Sequence, residues 1–291
     1  MALSFRASLA IVVFCVAVTQ SSSYADSKPT AEPLRIGLTP VFLDNRVSFL
    51  RAWQTYLVKR LGRPVEFVQR QTYREITDLI LAGEVQAAWI CGFPYVRHPN
   101  DMKLLAVPVY QGAPLYQSYL IVSAVDRVTQ DLLDLSDKIF AYSDPDSNSG
   151  YLVPTVALRR WGHNPDTFFR KAFFTWAHED VVVAVADGLA QAGAVDGYVW
   201  DSLRNLQPQL VARTRIVTKS EKFGFPPFIT SVSVARKDFK LLQDTLLNMD
   251  KNPEGVALLR ELNLDGFIAG DVSLYDGIRG NLQYVESGVQ Q

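Results

Sequence analysis

The chain has 291 residues, 48% of them hydrophobic, 11% aromatic and 20% charged, with 29 basic against 30 acidic side chains. This is a globular composition, large enough for one large domain or two lobes, and it excludes partners that need a strong field, such as nucleic acid or an anionic membrane surface. With only two cysteines, Cys15 and Cys91, the core cannot depend on a disulfide framework.

The first segment reads as a secretory signal rather than as part of the fold. "MALSFRA" carries Arg6, "SLAIVVFCVAV" is an apolar stretch of 11 residues, and "SSSYA" places Ser23 and Ala25 in a small-residue cleavage pattern. The apolar run is too short to span a bilayer, so residues 1–25 are expected to be removed on export, leaving a soluble product that is not membrane-embedded. Cys15 lies inside that run, without the small-residue box of a lipoprotein. Removing the segment takes Arg6 and no acid, leaving 28 basic and 30 acidic residues and a single thiol, Cys91. Residues 26–33, "DSKPTAEP", form a polar, flexible leader.

From residue 34 strands and helices alternate. "LRIGLTP" reads as a strand, and "RVSFLRAWQTYLVKRLGR" places Val47, Leu50, Trp53, Leu57 and Leu61 at helical spacing before Gly62. "PVEFVQR" is a second strand, and "YREITDLILAGEV" a second helix with Ile76, Leu79 and Ile80 on one face. "QAAWICGF" is a third strand, apolar throughout as buried parallel strands are. After "KLLAVPVY" and "QSYLIVSA" the pattern restarts. "KIFAYSDPDS" is strand then loop, residues 150–162 a helix, "FRKAFFTWAH" a strand, "EDVVVAVADGLA" a helix and "AGAVDGYVWD" a strand. "TRIVTKSEKFGFPPFITSVSVAR" is a return crossing whose prolines restrict ladder pairing to strand edges, and the remaining tail is helical. The repeated rhythm predicts two α/β lobes, each a doubly wound sheet. Ligands of such sheets bind beyond the carboxyl ends of the strands, which directs attention to "LTPVFLD", "CGFPY", "SDPDSNSG", "TWAHED" and "DGYVWD".

The stretch "SDPDSNSGYLVP" (143–154) crowds small donors at one helix start. Free amides and the helix dipole there favour an anion, and Ser147, Asn148, Ser149 and Gly150 can converge on one. A plain helix cap by Ser147 or Ser149 is the simpler reading of the same residues. His178 at the exit "TWAHED" is a donor or a cap, and Asp196 and Asp201 bracket "GYVW" as cation partners or turn formers. Trp89 and Tyr95 flank the third exit as core aromatics or ligand platform. Cys91 is either a small hydrophobe or a soft ligand. No zinc spacing surrounds it, His98 being seven residues on, and neither a G-x-S-x-G elbow nor a Walker loop is present.

Taken together, "LRIGLTP", "AAWICGFPYV", "YQSYLIV", "DPDSNSGYLVP", "AHEDVVVAVADGLAQAGAVDGYVWD" and "GFPPFITSVSVARKD" resemble the periplasmic solute-binding proteins for phosphonate, phosphite and phosphate that serve ABC transporters. The resemblance spans essentially the whole mature chain. It implies a type II clamshell with two crossover strands: residues 34–122 as the first part of lobe 1, 123–227 as lobe 2, and 228–291 as the return to lobe 1. It further implies a non-enzymatic periplasmic monomer without cofactor, which closes on a small oxyanion and hands it to a permease. Where the family usually shows Ser-Thr-Ser before Gly-Tyr, this chain has Asn148 in the middle, and an amide still donates. Carried across, Ser147, Asn148, Ser149 and Gly150 hold the oxyanion, with Tyr95 on the opposite lobe, His178 beside the ligand, and Asp196, Tyr198 or Asp201 near an aminoalkyl tail; Tyr73 is a further candidate. Cys91 departs from the small or apolar residue expected at its exit. It points to two alternatives: a metalloid ligand in an arsenite-sensing branch that signals to a histidine kinase, or a thiol nucleophile paired with His178.

Overall fold

A computed structural model describes residues 32–39 and 46–288; the segment expected to be a signal sequence, most of the leader and residues 40–45 of the first exit lie outside the described residues. In chain order, β1 (Leu34–Leu38), α1 (Val47–Leu61), β2 (Val65–Gln69), α2 (Tyr73–Leu81), β3 (Ala87–Trp89), α3 (Gly92–Arg97) and β4 (Met102–Val109) begin lobe 1. A two-residue strand β5 (Leu115–Tyr116) leads to lobe 2. This lobe contains β6 (Ser118–Ser123), β7 (Ile139–Tyr142), α4 (Val153–Arg160), α5 (Pro165–Phe168), β8 (Lys171–Phe174), α6 (His178–Ala186), β9 (Ala192–Asp196), α7 (Gly197–Leu206), α8 (Pro208–Val211) and β10 (Thr214–Lys219). The chain returns through β11 (Phe223–Gly224) to β12 (Phe228–Ser231), α9 (Arg236–Leu247), α10 (Pro253–Leu262), β13 (Gly266–Ile268) and α11 (Asp276–Glu286).

The two sheets share one plan. Lobe 1 runs β13-β4-β12-β3-β1-β2 and lobe 2 runs β10-β6-β9-β7-β8. In each, one strand lies between two parallel neighbours (β1 between β2 and β3, β7 between β8 and β9), and one antiparallel strand is inserted on the far side: β12 against β3, β6 against β9. Strand β6 follows directly from lobe 1 and β12 from lobe 2, so each inserted strand comes from a crossing. The antiparallel pair β5 and β11 ties the two crossings together. This is the two-lobed clamshell with two crossovers.

Four expectations shift. The first lobe boundary, expected after residue 122, falls before β6, because the apolar run "SYLIV" pairs with β9 and β10 rather than with lobe 1. The third strand ends at Trp89, and Gly92 opens a helix in which Pro94 sits within the first turn, where its missing N–H costs nothing. Likewise "GYVWD" is helical, because Asp196 ends β9 and caps α7 by accepting from the Tyr198 N–H at 2.9 Å. The paired prolines Pro226 and Pro227 precede β12, which leaves that strand free to sit in the middle of the sheet between β3 and β4.

Helix α1 ends at Gly62, whose N–H closes the last turn on the Val58 carbonyl and whose φ of 65° then turns the chain out of the helix. Its Trp53 is fully buried and meets Trp89 and Phe228 edge-on, with centroids 6.1 and 5.9 Å away. Trp53→Ala should therefore destabilise the chain by about 3–5 kcal/mol in denaturant unfolding. Trp53→Phe should cost far less, since the indole N–H has no hydrogen-bond partner among the described residues.

Candidate ligand-binding cleft

Parallel strands of one sheet end on one edge, and here five of those ends lead into helix starts: β2 into α2, β3 into α3, β7 into the turn before α4, β8 into α6 and β9 into α7. The edges of the two lobes face each other. Tyr73 N–H, at the start of α2, donates to Asp144 at 3.0 Å, and Asn148 N–H, beyond β7, donates to Cys91 Sγ at 3.3 Å. Between them lies a cavity of about 20 Å³, room on the scale of one or two water molecules. Lobe 1 lines it with Thr39, Tyr73, Trp89, Cys91 and Phe225, and lobe 2 with His178, Asp196 and Tyr198. Neither lysine nor arginine is among its described lining residues.

Three titratable groups on this wall are uncharged at neutral pH. Asp196 N–H donates to His178 Nδ1 at 3.1 Å, so Nδ1 is the acceptor and the ring proton belongs on Nε2, which lies 3.4 Å from Ser147 Oγ. Burial lowers the imidazole pKa to about 3, which keeps the ring neutral. Burial also raises the Asp196 carboxyl to about 8, only partly offset by backbone donors at Tyr198 and Val199, so it holds its proton. The Cys91 thiol is pushed up to about 12 by burial, against the partial help of amides at Asn148 and Phe93. A thiol held so far from ionisation lacks the thiolate that nucleophilic catalysis uses. The wall is therefore a set of neutral donors placed at helix starts.

The serine-rich turn lies against this wall. Ser147 Oγ accepts from Gly150 N–H at 3.0 Å, the capping role expected of serine. Asn148–Leu152 form one wide helical turn in which Leu152 N–H reaches back to the Ser147 carbonyl at 3.0 Å, a geometry concentrated at functional sites. Asn148 Nδ2 donates to the Tyr116 hydroxyl at 3.0 Å, while its Oδ1 is buried without a hydrogen-bond partner among the described residues. Ser149 contributes its carbonyl to Ser118 Oγ at 2.6 Å. Ser147 and Asn148 thus contact the wall residues His178 and Cys91 from behind.

The remaining sequence candidates separate. Tyr73 lines the cavity, its ring 6.4 Å from His178. Tyr198 lines it with its ring, while its hydroxyl donates to the Leu262 carbonyl of lobe 1 at 2.5 Å. Tyr95 is turned away: α3 directs it against Tyr275, with centroids 5.0 Å apart. Asp201 is also outside the cavity. One turn into α7, its carboxylate accepts from the Tyr110 hydroxyl at 2.9 Å and the Tyr119 hydroxyl at 3.0 Å, beside the crossings. These bonds tie α7 to the crossings, a role other than the cation partner or turn former expected at this position.

Sequence reasoning did not single out Thr39, Phe225 and Tyr116. Thr39 is the last described residue of the first exit and donates its hydroxyl to the Trp89 carbonyl at 3.3 Å. Phe225 sits in the returning "GFPPF", and the adjacent Pro226 carbonyl accepts from Trp89 Nε1 at 2.9 Å. The signal for all three was their place at an exit or a crossing.

A family model for the periplasmic substrate-binding protein of phosphonate ABC transporters matches residues 36–275. The chain is 28% identical over 284 residues to the phosphate-import protein PhnD of Mycolicibacterium smegmatis, covering 90% of this chain and 86% of that protein. Among solved structures, a binding-protein component of an ABC phosphonate transporter from Pseudomonas aeruginosa matches with a TM-score of 0.80 at 21% identity, covering 88% of this chain and 87% of that one. PhnD1 from Prochlorococcus marinus in complex with methylphosphonate matches with a TM-score of 0.78 at 18% identity, covering 87% and 98%. With that family model matching most of its length, the chain belongs to the family of periplasmic substrate-binding proteins of phosphonate ABC transporters.

Proposed function

We propose that this chain captures a compact phosphorus oxyanion (phosphate, phosphite or a short alkylphosphonate) in the periplasm and presents it, by closure of the two lobes, to the permease of an ABC transporter. The observation that carries this reading is the neutral donor set on the cavity wall: the His178 imidazole with its proton on Nε2, and the Asp196 carboxyl that keeps its proton. Together with the helix starts they bind an anion through dipoles, without a counter-ion. A protonated Asp196 favours an anionic head over a cationic tail, hence a compact ligand rather than an aminoalkyl one. The small cavity supports entry by separation of the lobes, with the ligand's preference for the closed arrangement driving closure. The segment 1–25 supports export, and the membership of the family supports a permease as partner.

Calorimetric titration with phosphate, phosphite, methylphosphonate, 2-aminoethylphosphonate, sulfate and arsenite tests this. One of the first three should bind most tightly. Replacing both Ser147 and Ser149 with alanine removes the hydroxyl that supports His178 Nε2 from behind the wall and should weaken binding by about tenfold. Unchanged affinity in that variant would place the oxyanion elsewhere, and binding of arsenite alone would favour Cys91 as a metalloid ligand.

A further inference from the structure

Anion binding leaves the two aspartates of "SDPDSNSG" unexplained, since a carboxylate beside an oxyanion opposes it. Both are buried and both face the other lobe. Asp144 Oδ2 accepts from Tyr73 N–H at 3.0 Å, and its Oδ1 accepts from Asp146 N–H at 2.7 Å. Asp146 Oδ2 accepts from Arg74 Nε at 2.9 Å, and its Oδ1 from Arg74 Nη2 at 3.1 Å and Arg97 Nη1 at 2.8 Å. Every donor reaching across belongs to α2 or α3 of lobe 1, and both acceptors lie on the lobe 2 segment that leads into Ser147. The Asp146 side chain is 7% exposed, whereas those of Arg74 and Arg97 are 62% and 36% exposed. Arg97 sits over Phe93, its guanidinium carbon 4.3 Å from the ring centroid.

We propose that Asp144 and Asp146 are positioning residues forming a clasp between the lobes, which holds the oxyanion turn against α2 and α3 and sets the lifetime of the closed state. The two-pronged contact of Arg74 with Asp146 exists only while the lobes are together. Removing the arginines leaves the buried Asp146 charge uncompensated, so the closed arrangement loses more than the pair itself contributes. Because both arginines are partly in water, added salt screens the clasp. Closure is thereby favoured before any ligand arrives, and a bound ligand escapes only after the clasp opens.

The ligand readout of this idea rests on the proposed function, but its first test needs no ligand. Small-angle scattering of the full chain, without added anion phosphate or phosphonate, should give a larger radius of gyration at about 1 M sodium chloride than at low salt. Asp146→Asn should show the larger radius already at low salt, with no further response, and Asp146→Glu should restore the salt-dependent behaviour. The double variant Arg74→Ala, Arg97→Ala alters more exposed side chains and remains informative if Asp146→Asn folds poorly; it should reproduce the same expanded state. Equal radii for wild type and the folded variants at low salt would overturn the clasp. If methylphosphonate binds the wild type, its dissociation from either variant should quicken about tenfold, with association changed far less. Dissociation at the wild-type rate would equally overturn it. If no phosphorus oxyanion binds the wild type, the functional reading fails while the scattering still judges the clasp.

Discussion

Gly150→Ala should bind the oxyanion at least about tenfold more weakly and lose about 1–3 kcal/mol of stability, the usual cost of overpacking. An added Cβ at this position would fall 1.9 Å from Ser143 Oγ, 2.8 Å from Ser143 Cβ and 3.1 Å from His178 Cε1. Rotating Ser143 relieves the contact with its oxygen but not that with its Cβ. The turn must therefore move away from Ser143 and His178, taking Ser147 out of register with the His178 ring. Ser143→Gly combined with Gly150→Ala frees the contested volume and should recover most of both losses. Thermal melting and calorimetric titration of the three variants decide the matter. A Gly150→Ala protein with wild-type melting and affinity would mean that the close approach has no functional weight.

The second large effect lies in pH. Asp196 keeps its proton in the folded chain up to about pH 8, whereas an unfolded aspartate releases it near pH 4. Over that window the folded state binds more protons, so this group's contribution to stability falls as pH rises. His178 acts in the opposite sense. Its folded pKa of about 3 lies below the unfolded value near 6.5, so stability rises with pH until about 6.5. The two slopes oppose each other between about pH 4 and 6.5, which leaves a net decline from about 6.5 to 8 worth about 2 kcal/mol. Asp196→Asn keeps an acceptor for the Tyr198 N–H and should flatten that decline. Denaturant unfolding of the ligand-free protein at several pH values measures it, and a wild-type profile already flat between those limits would refute the assignment. Oxyanion affinity should also fall above about pH 8, where ionised Asp196 repels the ligand, and that alkaline loss should be absent in Asp196→Asn.

Periodicity was enough to read most of the architecture, because apolar positions recur at helical spacing in α1 and α2 and the strands between them are short and apolar. It was weakest at strand exits. "QAAWICGF" and "AGAVDGYVWD" are uniformly apolar, and a buried strand followed by a buried helix start has the same appearance in sequence. The exits themselves identified the cleft, and His178, Asp196, Cys91 and Tyr73 lie on its wall. Tyr95 and Asp201 lie off this wall because the start of a helix decides which of its faces meets the cleft. Beginning α3 at Gly92 turns Tyr95 toward Tyr275, and beginning α7 at Gly197 carries Asp201 to Tyr110 and Tyr119. The clasp was beyond reach for another reason. Asp146 lies 72 residues from Arg74 and 49 from Arg97, and no local pattern links them.

The inserted strand β12 gives the two lobes different histories during folding. All five strands of the lobe 2 sheet lie within residues 118–219, so that sheet can assemble from one uninterrupted piece of chain. The lobe 1 sheet has a slot between β3 and β4 that only Phe228–Ser231 can fill, more than a hundred residues after β4 has been made. Until that late strand arrives, β3 and β4 each present an unpaired edge, the kind of surface that invites wrong pairing and needs shielding. Lobe 2 is therefore the natural first folder, and lobe 1 is completed on it.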